Sequence, residues 1–178
     1  RDNTTGTQNV AVGTSALAFN TTAGCNTALG HSALETNTTG TANVAVGRTA
    51  LDANTTGGEN SAVGKDALGS NTTGCRNTGI GRNALYSNTT ACNNTAVGYD
   101  SLFSNSTGTS NVAIGCGALD ANTTANNNTA VGANSLGVNT TGTANVAVGT
   151  TALDANTTGS DNAAFGRNAL GSNTTGGT

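Results

Sequence analysis

The chain has 178 residues, of which only 8% are charged and 3% aromatic; it contains no Pro, Met or Trp and carries a net charge of -3. An ordinary globular domain carries roughly 25% charged residues, so hydroxyls and amides must solvate this surface. With no basic patch and no aromatic platform for stacking bases, nucleic acid is excluded as a partner, and with no run of about 18 apolar residues no membrane insertion is expected.

From the first residues onward one unit repeats. The anchor Asn-x-Ala-Val-Gly begins at Asn9, Asn26, Asn43, Asn60, Asn77, Asn94, Asn111, Asn128, Asn145 and Asn162, always 17 residues apart. Residues 1–8 form a partial repeat and residues 9–178 form ten repeats, so the whole chain reads as one array. It starts inside a repeat, which suggests a segment of a longer fibre. Disordered chains usually carry high net charge; here apolar residues recur at fixed places, and periodic order is expected instead.

Counting from the first Asn, each unit reads N-x-A-V-G-x-x-A-L-x-x-N-T-T-G-x-x. Positions 2–4 look like a short strand. Gly at position 5, invariant from Gly13 to Gly166, marks a corner needing a positive φ or no side chain. Position 4 is always Val, Ile, Leu or Phe and position 9 always Leu, and these two rows are expected to form the interior. Small residues at positions 3 and 8 would let backbones approach closely. A second short strand should follow the first corner, and Asn-Thr-Thr-Gly should make a second corner, with Asn tolerating the left-handed region and bonding nearby backbone. Gly at position 5 and often at position 15, with Asn, Thr and Thr between, disfavours a helix. The expected class is all-β: a parallel β-solenoid or β-roll with one 17-residue coil per repeat and a rise of ~4.8 Å per coil. Two apolar side chains per coil make a thin core, so inter-coil hydrogen bonds, Asn and Thr ladders or a second surface supplied by other chains must add to it.

The unit Asn-x-Ala-Val-Gly-x-x-Ala-Leu, in the form Asn111-Val112-Ala113-Ile114-Gly115, resembles the head repeats of trimeric autotransporter adhesins. With its Asn-Thr-Thr-Gly corner it is similar to the longer arrays of phage tail-fibre and bacterial surface proteins. The adhesin resemblance implies a left-handed parallel β-roll with three chains about one axis, although the adhesin repeat is shorter.

Candidate sites are few. Asn-Thr-Thr is an N-glycosylation acceptor pattern at Asn3, Asn20, Asn37, Asn54, Asn71, Asn88, Asn122, Asn139, Asn156 and Asn173, with Asn105-Ser106-Thr107 as a variant and Asn93 and Asn127 as matches off the register. The eleven in-register acceptors would line one face with covalent glycans; the alternative is an unmodified ladder of Asn with corner-stabilising Thr. Cys75 and Cys92 share position 16 in adjacent coils and are a candidate disulfide, whereas Cys25 at position 17 and Cys116 at position 6 have no matching partner. No CxxC pair suggests zinc. His31, the single His, is expected to be solvated. Asp52, Asp120 and Asp154 at position 10, and Asp66 and Asp100 at position 7, skip coils and make no paired row. The calcium-binding Gly-Gly-x-Gly-x-Asp repeat is absent, and the glycines belong to no phosphate loop.

These features point away from an enzyme, with no catalytic residue, metal or cofactor expected. They suggest a structural or adhesive extracellular fibre segment, on a cell surface, secreted or on a virion, that associates with copies of itself as a homo-oligomer, a trimer by the resemblance, or a filament. A glycan-coated filament is the alternative. A further alternative is an ice-binding solenoid, because the Thr rows starting at Thr21 and Thr22 resemble those of β-helical antifreeze proteins; adjacent residues of an extended chain point to opposite faces, so one row only could meet ice.

Overall fold

A computed structural model describes residues 3–176. The protein is an all-β parallel solenoid. Ten three-residue strands, β1 (Val10–Val12), β2 (Thr27–Leu29), β3 (Val44–Val46), β4 (Ser61–Val63), β5 (Thr78–Ile80), β6 (Thr95–Val97), β7 (Val112–Ile114), β8 (Thr129–Val131), β9 (Val146–Val148) and β10 (Ala163–Phe165), form one sheet in sequence order. Every pairing is parallel and in register by repeat position, as in Val46 against Val63 and Val63 against Ile80. No helix occurs among the described residues.

Each coil contributes one strand, not the two expected. The remainder is turn, because residues at positions 7, 9 and 17 take left-handed φ values. In one stretch these are Thr49 (54°), Leu51 (52°) and Glu59 (60°). The left-handed region disfavours L-residues by roughly 1–2 kcal/mol each, and Leu and Thr are poorly suited to it. Neighbouring coils hold them there. Thr49 N–H donates to the His31 carbonyl, Leu51 to Ala67 and Glu59 to Thr41, each in an adjacent coil. The expected left-handed Asn at position 12 is not found; positions 9 and 17, before and after the second corner, adopt that conformation instead.

Position 5 does need its glycine. Gly64 has φ +135°, and a Cβ there would stand 2.5 Å from the Gly81 carbonyl oxygen of the next coil.

The interior differs from expectation at one row. Leu at position 9 is buried from Leu17 to Leu153, and Ala at positions 3 and 8, such as Ala62 and Ala67, completes the core. Position 4 lies outside. Strand alternation sends Ala62 inward and Val63 outward, and the coil is too thin for a larger inward residue beside Leu68. Two Asn rows, at positions 1 and 12, fill the rest of the interior.

Candidate functional site

The Asn-Thr-Thr corner is built from the inside. Asn71 Nδ2 donates to Asn54 Oδ1 at 2.8 Å in the preceding coil and to the Gly74 carbonyl at 3.0 Å. Asn60, from the other Asn row, donates to the same Gly74 carbonyl at 2.9 Å, and its Oδ1 accepts the backbone N–H of Asn77 at 3.0 Å. Position 12 thus forms a continuous amide ladder, and both rows converge on the carbonyls of position 15. No buried side-chain nitrogen or oxygen among the described residues lacks a partner, as a polar interior requires.

Most of the Asn row expected to carry glycans lies inside the coil. Asn20, Asn37, Asn54, Asn71, Asn88, Asn105, Asn122, Asn139 and Asn156 are 0–1% exposed. Their amide nitrogens, where a sugar would attach, point inward and donate two hydrogen bonds each. Asn3 and Asn173 continue the row with less cover and also donate to the carbonyl three residues on. The two off-register matches differ: Asn93 and Asn127, at position 17, are exposed.

The paired Thr rows separate. At position 13, hydroxyls donate to the carbonyl of the same position one coil on, as Thr55 does to Thr72 at 3.1 Å. At position 14, an exposed Thr row runs from Thr5 to Thr175.

The outer face of the sheet carries the most extensive apolar feature. Position 4 presents Val12, Leu29, Val46, Val63, Ile80, Val97, Ile114, Val131, Val148 and Phe165, one per coil. Several are well exposed: Val63 38%, Ile80 41%, Ile114 40%. Single exposed apolar side chains are ordinary, but a contiguous stripe marks an interaction surface.

Charged residues sit elsewhere on the coil. Lys65 pairs with Asp66 at 3.0 Å, and Arg82 lies over the Tyr99 ring at 5.7 Å. Tyr86 and Phe103, at position 10 of adjacent coils, stack at 5.5 Å. Burial pushes the Asp52 and Asp120 carboxyls above their usual range, against backbone hydrogen bonds that pull the other way. At Asp66 burial also pushes upward, but hydrogen bonds from Thr49 and Lys65 outweigh it and leave that carboxyl below its usual range. Asp120 and Asp154 flank a shallow notch floored by Gly137. His31 is exposed, with Nδ1 3.0 Å from Ser32 Oγ. No cluster of three metal-ligating side chains occurs among the described residues. Cys75 and Cys92 are both half-buried free thiols, and Cys25 and Cys116 are exposed free thiols.

Comparison of the chain with protein-family models, with curated proteins and with solved structures returns no match.

Proposed function

We propose that this structural repeat protein is a shaft segment of an extracellular fibre, assembled from copies of the same chain through the position 4 stripe. The observation that carries the reading is the unbroken apolar row on the outer face of the sheet. A second copy fits that row because it has the same 17-residue period, so stripe meets stripe at every coil. Three chains about one axis is the arrangement that the adhesin resemblance implies. A surface solvated by amides and hydroxyls, with 8% charged residues, supports an extracellular and adhesive setting. No helix of the described residues is long and apolar enough to cross a membrane. The reading assigns the chain no catalysis and no cofactor.

Sedimentation or light scattering of the chain tests this directly. The expected mass is an integer multiple of the chain mass, collapsing toward one chain in the Ile80→Lys, Ile114→Lys double variant while circular dichroism stays unchanged. A wild-type chain that remains monomeric at tens of micromolar would sink the proposal. Within it the fibre is bare along the Asn rows. The filament coated along those rows is disfavoured by their burial, and covalent glycans, where present, would fall on Asn93 and Asn127. The exposed position 14 Thr row keeps ice binding as a second reading, and absence of thermal hysteresis would dismiss it.

A further inference from the structure

Cys75 closes coil 60–76 and Cys92 closes coil 77–93, both at position 16. Neighbouring coils are separated by ~4.8 Å, inside the Cα range of about 4.4–6.8 Å that a disulfide spans. The two side chains stand side by side at the same position of adjacent coils, and Cys92 Sγ reaches the neighbouring coil, where it accepts the backbone N–H of Cys75 at 3.1 Å. Arg76 Nη2 approaches Cys75 Sγ at 3.7 Å. The other two cysteines are placed differently: Cys25 Sγ donates to Gln8 Oε1 at 3.1 Å, and Cys116 lies exposed at position 6.

We infer that Cys75 and Cys92 are an oxidisable dithiol that closes into a disulfide between adjacent coils, a covalent staple in the middle of the shaft that Cys25 and Cys116 cannot form. The oxidant is a low-molecular-weight disulfide. The Cys75 thiolate attacks one of its sulfurs, the S–S bond of the oxidant breaks, and one small thiolate leaves. The Cys92 thiolate then attacks Cys75 Sγ and expels the second small thiolate. Two protons pass to solvent or to the leaving thiolates. The protein dithiol is oxidised by two electrons and the small disulfide is reduced to two thiols. Cys92 is placed second because burial pushes its thiol upward, which outweighs the Cys75 backbone N–H that stabilises its thiolate. The inference stands on the coil register and does not depend on the oligomeric assembly proposed above.

The test incubates the folded chain with glutathione disulfide, alkylates the remaining thiols and maps peptides without reduction. The expected product has lost two hydrogens, joins the Cys75 and Cys92 peptides, and carries alkyl groups on Cys25 and Cys116. In the Cys92→Ser variant a glutathione adduct should accumulate on Cys75. Full alkylation of both Cys75 and Cys92 after oxidation, or a link from either of them to another cysteine, would overturn the inference.

Discussion

Val63 and Leu68 lie five residues apart in one coil and face opposite ways: Leu68 is wholly buried, whereas Val63 keeps 38% of its surface in solvent. The same relation recurs in the neighbouring coils through Ile80 and Leu85. It divides the apolar content of each repeat between a core and an outer face.

The first prediction follows from that division. Leu68→Ala removes a fully buried side chain from a core with little else to fill it, and should cost about 2–5 kcal/mol. Val63→Thr, on the outer face, should leave the stability of a single chain almost unchanged and, on the assembly proposed above, weaken association between copies. Chemical denaturation at low protein concentration, paired with sedimentation, separates the two effects.

Asn71→Ala removes a donor to both Asn54 and Gly74 and an acceptor for Asn88. Leaving buried polar groups short of partners costs about 1–3 kcal/mol. The loss should appear as increased hydrogen exchange centred on the coils of Asn54, Asn71 and Asn88. An exchange pattern unchanged in those coils would contradict the ladder.

Gly79 is the one exception in the Ala row of position 3. A Cβ there would meet the Ala84 carbonyl oxygen at 3.1 Å and Leu68 Cγ at 3.4 Å. That is tight, but the other nine coils accommodate Ala at the same place. Gly79→Ala should therefore stabilise the chain by about 0.5–1 kcal/mol, read as a higher thermal midpoint.

Asp52 provides a pH test. Its folded carboxyl is raised by burial above the ordinary 3.8, so the folded state binds its proton more tightly than the unfolded chain. Its contribution therefore improves as pH falls through the raised value toward 3.8 and is unfavourable above it. Asp52→Asn should raise the thermal midpoint at pH 7 and lose that advantage near pH 3. Asp66 runs the other way. Its lowered carboxyl gives stability that is present above pH 3.8 and lost as pH falls through its folded value.

The period, the parallel stacking and the glycine corner were legible in the sequence because a strict repeat leaves few ways to stack. The direction of position 4 was missed. Bulk at position 4 suggests burial, yet the informative contrast lies beside it: position 3 admits only Ala or Gly, while position 4 varies through Val, Ile, Leu and Phe. A residue restricted to the smallest sizes is the one enclosed. The Asn rows carried a comparable signal. Asn at positions 1 and 12 never changes, which a solvent-exposed acceptor with only a sequon to preserve would explain at position 12 and not at position 1. The left-handed Leu was not legible, since nothing local favours it and the hydrogen bonds that hold it come from other coils.

The inter-coil hydrogen bonds have a mechanical consequence. They bridge one coil to the next along the stack, so tension applied along the solenoid axis loads them directly and can release one coil at a time. Each released repeat of 17 residues yields at most about 56–61 Å of chain, at ~3.3–3.6 Å per residue. The solenoid would then lengthen in equal steps under load and shorten again when the coils rewind.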